Sequence, residues 1–175
     1  MKEYEFILKF NLPDGNIDPE QYVDPLYEAG CDDANIGIGQ KGRIALNFVR
    51  EGRSAIDAIF SAISDVKKAI PKAKLVEVTP DLVGFTDIAE IIGCSRQNIR
   101  QVFIANKSVF PSPVHEGSVA LWHLTKVLRW FKDSGDYDIK DDLIEISSAS
   151  MQVNLAAQMS DLDFSIQKKL SPLLN

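Results

Sequence analysis

Gly84 to Phe131 reads GFTDIAEIIGCSRQNIRQVFIANKSVFPSPVHEGSVALWHLTKVLRWF, and the rest of the chain is placed around it. Thr86 is the predicted N-cap of a first helix, and Asp87 sets a negative charge on its first turn. Ile88, Ala89 and Ile92 share one face of that helix. Gly93, which tolerates a left-handed backbone, ends it. Ser95 then caps a second helix, RQNIRQVFIANK. Two short helices joined by three or four residues that include glycine have the signature of a helix-turn-helix.

The second helix carries the functional signal. Ile99, Val102 and Phe103 stand at i, i+3 and i+4 and form a stripe that must face a core. The opposite face holds Gln97 and Gln101 with Ile104 between them. Arg100 lies on one flank, Asn98 on the other, and Arg96 nearer the core side. This solvent face has no acid, in a chain with 25 acidic and 19 basic residues. Glu and Lys are the usual fillers of such a face. Arg and Gln are the side chains that bond guanine and adenine edges bidentately in a major groove.

Beyond Lys107, Pro111 and Pro113 forbid helix and fix an extended path. His115 to Ser118 reads as a turn, Val119 to Trp122 as a returning strand, and Leu124 to Phe131 as a helix with Val127, Leu128 and Phe131 inward. The ordered pieces TDIAE (86–90), GCSRQ (93–97), FPSPV (110–114), Gly117, Leu121-Trp122 and a late Trp130-Phe131 resemble the winged helix-turn-helix of AlpA-type and excisionase-type regulators, relatives of the MerR DNA-binding domain. The resemblance covers about residues 82–132. It implies that the helix from Ser95 enters the major groove and that a wing near His115 to Ser118 touches the backbone or minor groove. Glu116 departs from the basic tip common in such wings.

A hydrophobic fraction of 45% is that of a globular protein, and no window approaches 18 consecutive apolar residues. The start MKEYEFILKF has acids where a signal peptide wants a plain apolar run, so a cytoplasmic protein is expected. Cys31 and Cys94 are far apart, without a CxxC pattern, and read as free thiols in a reducing compartment. The net charge of −6 is unevenly spread. Residues 1–82 hold ten basic and fourteen acidic groups, residues 83–135 six and four, and residues 136–175 three and seven. Only the central segment is positive. Phosphate contacts depend on local charge, because screening removes acids beyond roughly 8–10 Å.

Before the central stretch, Tyr4 to Leu12 alternates as a strand with Tyr4, Phe6, Leu8 and Phe10 on one face. Pro19 opens a helix that runs to Glu28. Ala34 to Gly39 and Arg43 to Arg50 are two further strands, and Lys74 to Thr79 a fourth. Ser54 caps a helix in which Ile56, Ile59, Phe60, Ile63, Val66 and Ile70 fall at helical spacing. The order β-α-β-β-α-β is the ferredoxin-like plan, with both helices on one face of an antiparallel sheet. The other face is then open, and any Phe or Leu exposed there would seek a partner.

Gly37, Gly39 and Gly42 match GxGxxG, the dinucleotide fingerprint. The third glycine is followed by RIALNFVR, an alternating strand, where the chemistry requires a helix N-terminus to hold the pyrophosphate. These are hairpin glycines. Asp32-Asp33 is a loop acid pair with no histidine near it in sequence. There is no P-loop, no HExxH and no supported Ser-His-Asp order, so neither an enzyme nor a cofactor is expected. Asp133 to Asp136 reads as a linker. From Asp141 the chain is helix-compatible, with Ile146, Ala149, Val153, Ala156 and Ala157 as a small-residue stripe. Leu162, Phe164, Ile166 and Leu170 make a shorter amphipathic piece.

The expected architecture is therefore α+β: a ferredoxin-like domain over 1–80 for assembly or sensing, a winged helix-turn-helix over 81–134, and a C-terminal helical arm over 135–175. The expected function is a sequence-specific transcriptional regulator that binds double-stranded DNA as a homodimer. Gln97, Arg100 and Gln101 would contact bases. Ser95, Arg96, Asn98 and Lys107 would hold phosphates, with Ser118 as a wing contact. The alternative is a protein-interaction module, an antitoxin or phage-associated adaptor, whose acidic C-terminal helices bind a protein partner. A ligand sensor on the open sheet face has no residue constellation behind it.

Overall fold

The alternation of residues 2–11 builds the first strand of a computed structural model that describes residues 1–135 and 137–174. Strand β1 (Lys2–Asn11) buries Tyr4, Phe6, Leu8 and Phe10 and exposes Glu3, Glu5, Lys9 and Asn11. A single 3-10 turn (Pro19–Tyr22), capped by the Asp18 carboxylate, leads into helix α1 (Val23–Glu28). Strands β2 (Ala34–Gly37) and β3 (Arg43–Gly52) follow, then helix α2 (Ala55–Ala69) and strand β4 (Lys74–Thr79). The four strands form one antiparallel sheet in the order β2-β3-β1-β4. Phe6 lies opposite Phe48, Leu8 opposite Leu46 and Phe10 opposite Ile44, so these six large apolar side chains of the two central strands point to the helix side. The rings of Phe6 and Phe48 stack at 5.4 Å.

The outward face of the sheet is mixed, with Ile7, Ala45, Val49 and Val76 among polar residues. Besides the four exposed residues of β1 it shows Asn47, Val49 and a Lys9–Glu77 ion pair of 2.7 Å, and among the described residues it carries no Phe or Leu. The period-2 register places the Phe and Leu side chains inward, so the apolar residues left on this face are the smaller aliphatics Ile7, Ala45, Val49 and Val76.

Helix α2 starts at Ser54, whose Oγ accepts the Asp57 N–H. It buries Ala55, Ala58, Ile59, Ala62 and Val66, a stripe rich in alanine that lets the helix lie close to the sheet. Phe60, expected inward, is exposed because it lies about 100° round the helix from Ile59, off that stripe.

Strand β5 (Leu82–Val83) and helices α3 (Phe85–Ile92) and α4 (Arg96–Ala105) come next, then strand β6 (Trp122–His123) and helix α5 (Leu124–Ser134). Together they enclose a second apolar cluster around Ile88, Ile99, Phe110, Trp122, Leu128 and Phe131. Helix α3 begins one residue before Thr86, so Thr86 is not its cap. Gly84 holds the cap position, and the Asp87 carboxylate accepts the Gly84 N–H at 2.7 Å. Gly93 closes α3 at φ +77, in the left-handed region. The expected Val119–Trp122 strand is shorter and shifted. Trp122 and His123 pair with Val83 and Leu82, and a single bridge joins His115 to Leu121. Pro111 and Pro113 have no N–H to offer a ladder on the other side.

Helix α5 runs through Asp133 and Ser134 and ends at Gly135, φ +79, so the first half of the expected linker is helical; Asp136 lies outside the described residues. Helix α6 (Asp141–Met159) then packs Ile146, Ala149 and Val153 into the core beneath the sheet, while Leu143 and Ile144 lie against the second cluster. Its Glu145 accepts hydrogen bonds from Tyr4 Oη and from the Ala55 N–H, both at 3.0 Å. Helix α7 (Phe164–Leu170) buries no residue. The fold is mixed α+β, and among the described residues no helix is long and apolar enough to cross a membrane.

Candidate functional site

Helix α4 is held by one face and offers the other. Ser95 sits in extended backbone and its Oγ accepts the Asn98 N–H at 3.1 Å, which fixes where the helix starts. Ile99 is fully buried and Val102 and Phe103 half-buried. The Phe103 ring lies 5.6 Å from Phe85, 5.5 Å from Phe110 and 5.6 Å from Trp122. Trp122 in turn donates its indole N–H to the Pro111 carbonyl at 3.0 Å, tying the loop after α4 to the same aromatic cluster. These edge and tilted ring contacts set the rotation of α4 about its axis.

With that rotation fixed, Arg96, Gln97, Arg100, Gln101 and Ile104 line an open groove of about 920 Å³. Its other walls are the first turn of α3 at Phe85 and Thr86, and the loop from Gly117 to Leu121. The groove thus gathers all three residues expected to contact bases, with Arg96 and Ser118 of the expected backbone contacts. Ser95, Asn98 and Lys107 are exposed but lie outside its lining. Among the described residues, the side chains of Arg96, Gln97, Arg100, Gln101 and Lys107 form no intramolecular ion pair or side-chain hydrogen bond, so their donors face solvent. The helix face itself bears no carboxylate. The groove does have one, Asp87 on another wall, engaged by the Gly84 N–H, while Glu116 is exposed and outside the lining.

Behind the groove lies a polar cluster that no local pattern signals. Asp81, whose side chain is 1% exposed, holds the His123 ring at Nδ1 with one oxygen (2.7 Å) and accepts Asn154 Nδ2 with the other (2.8 Å). The same Asn154 amide accepts the Val78 N–H at 2.7 Å and donates to the Val78 carbonyl at 2.8 Å. Asp81 O also accepts the Leu124 N–H. One asparagine of α6 therefore joins the edge of the sheet to the strand that leads into the groove.

Elsewhere, Arg50, Cys31 and Gly42 are held within the fold. Arg50 pairs bidentately with Asp33 at 2.7 and 2.8 Å, reaches Asp65 at 2.8 Å and the Gly30 carbonyl at 2.6 Å, and lies over the Phe48 ring. Burial pushes the Cys31 thiol up to about 11. Gly42, φ +71, sits against Gly15, where a Cβ would come within 2.5 Å of backbone, and β3 follows it. Among the described residues no three His, Cys, Asp or Glu side chains converge as a metal site. No family model, no curated protein and no solved structure matches the chain.

Proposed function

We propose that the protein is a sequence-specific regulator of transcription that binds double-stranded DNA in the cytoplasm as a homodimer. In this reading α3 and α4 are a helix-turn-helix, the segment from Phe110 to His123 is its wing, and residues 1–80 form a ferredoxin-like unit that assembles or senses. One observation carries it. The exposed face of α4 offers Arg96, Gln97, Arg100 and Gln101, without a side-chain partner among the described residues, to an open groove of about 920 Å³. A helix so equipped matches the donor and acceptor pattern of base edges, with Arg on guanine and Gln on adenine. Ser95, Asn98, Lys107 and Ser118 flank that face and suit phosphate contacts.

The test is selection of bound duplexes from a random pool, followed by titration of Arg100→Ala on the selected site. Loss of one bidentate base contact weakens binding by about 1–3 kcal/mol and relaxes preference at one base position. A pool that yields no enriched sequence refutes the reading.

A second reading rests on α7. Phe164 is 85% exposed, and Leu162, Ile166 and Leu170 remain largely open to solvent. Such a helix suits a protein partner, as in an antitoxin or adaptor, and the two roles combine in a repressor that senses its partner. A stoichiometric protein retained through purification from the native host, and lost when α7 is removed, supports it.

A further inference from the structure

We infer that Ile104 is a specificity-determining residue of the groove and that it reads the methyl group of a thymine. This rests on the proposal that the groove takes duplex DNA. Three of the four large apolar residues of α4 serve the core: Ile99 is buried, and Val102 and Phe103 are half-buried against the aromatic cluster. Ile104 is 61% exposed. It stands three residues after Gln101 and four after Arg100, on the same face, and lines the groove with them.

A single exposed aliphatic residue is ordinary on a protein surface, so exposure alone decides nothing. The position decides. Isoleucine is β-branched and restricted in a helix, and here its side chain adds little to the core. Every neighbour in its rank is a hydrogen-bonding side chain pointing into the groove. In the major groove the thymine C5-methyl is the one apolar feature a base pair presents, and it lies beside the acceptors and donors that Arg and Gln read. Ile104 has no donor or acceptor for a phosphate or a base edge, so burial against that methyl is the contact open to it. The rise from Gln101 to Ile104 is about 4.5 Å along the helix axis, slightly more than one base-pair step of about 3.4 Å. The thymine should therefore fall within one or two base pairs of the base that Gln101 or Arg100 contacts.

The experiment uses the full chain and a duplex selected with it. Each thymine of the site is replaced singly by uracil, which removes the methyl and keeps the pairing and the O4 acceptor. Affinities are measured for the wild type, Ile104→Ala and Ile104→Val. One thymine per half-site should lose about fourfold in wild-type affinity on the change to uracil, the effect of one buried methyl. Ile104→Ala should bind the thymine and uracil duplexes equally, and Ile104→Val should keep part of the discrimination. Because Ile104 is exposed, circular dichroism should show both variants folded. Selection of a site at which no uracil change matters, or at which Ile104→Ala discriminates as the wild type does, overturns the inference and leaves DNA binding standing. A failure to select any duplex overturns both.

Discussion

Replacing Asn154 by alanine tests whether α6 holds the two clusters together. Asn154 is 7% exposed and its amide makes three hydrogen bonds: to the Val78 N–H, the Val78 carbonyl and the Asp81 carboxylate. The two bonds to Val78 supply the edge of β4 with the partners a neighbouring strand would provide. Each neutral bond is worth about 1 kcal/mol net and a bond to a charged group about 1.5–3 kcal/mol. Water admitted by the smaller side chain returns part of this, so Asn154→Ala should cost about 3 kcal/mol. For a chain of this length that lowers the melting temperature by about 6–12 °C. Both tryptophans, Trp122 and Trp130, lie in or against the second cluster, so their fluorescence reports that cluster, whereas circular dichroism reports all helices and the sheet. In the wild type the two denaturation curves should coincide. In Asn154→Ala the fluorescence transition should move away from the circular dichroism transition. The control is Ser150, one turn earlier on α6 and fully buried, whose hydroxyl has no hydrogen-bond partner among the described residues. Ser150→Ala should be neutral or stabilising, since it removes a buried polar atom without breaking a bond. Equal losses in the two variants, or a loss under about 1 kcal/mol for Asn154→Ala, would refute the reasoning.

Arg50→Ala leaves Asp33 and Asp65 without their shared cation and should destabilise by about 3 kcal/mol, measured by urea unfolding; Arg50→Met should recover part of that through packing on Phe48. Titration of the native protein with a thiol reagent near pH 8 should label Cys94 and spare Cys31, which is buried and held mostly protonated, and a second equivalent should react in denaturant. Truncation after Met159 should change the melting temperature little, because α7 buries no residue, while abolishing any association that depends on Phe164 and its neighbours, which sedimentation velocity reads.

Local pattern revealed most of the elements, and the reason is visible in particular residues. Tyr4, Phe6, Leu8 and Phe10 alternate with Glu5, Ile7 and Lys9, and the strand buries all four despite the apolar Ile7 on the other face. Ser95, Gly93 and the Ile99, Val102, Phe103 stripe placed α4 and its rotation, hence which side chains face the groove. What local pattern missed was set by distance. Helical spacing groups Phe60 with Ile56, Ile59 and Ile63, and only the burial of Ala58 and Ala62 narrows that stripe. Asp33 read as a loop acid because Arg50 is 17 residues away. The Asp81–His123–Asn154 cluster draws on residues up to 73 apart, and no window of sequence contains it.

The same cluster bears on how the groove works. The Gly117–Leu121 loop is anchored by the short β5–β6 pairing, two residues on each strand, by the His115–Leu121 bridge and by the Trp122 indole bond to the Pro111 carbonyl. Two residue pairs are too few to fix an orientation by themselves. Asp81 lies immediately before β5 and His123 ends β6, so the carboxylate–imidazole contact clamps that pairing from behind, and Asn154 ties the clamp to the sheet. Asn154 of α6 thus helps, through Asp81 and His123, to hold the strand into which the Gly117–Leu121 loop runs. The acidic character of the C-terminal segment and the packing role of α6 are therefore separate matters: the charges Asp141 and Asp142 are exposed on its first turn, while Asn154, which reaches Val78 and Asp81, is an uncharged amide about three and a half turns further on.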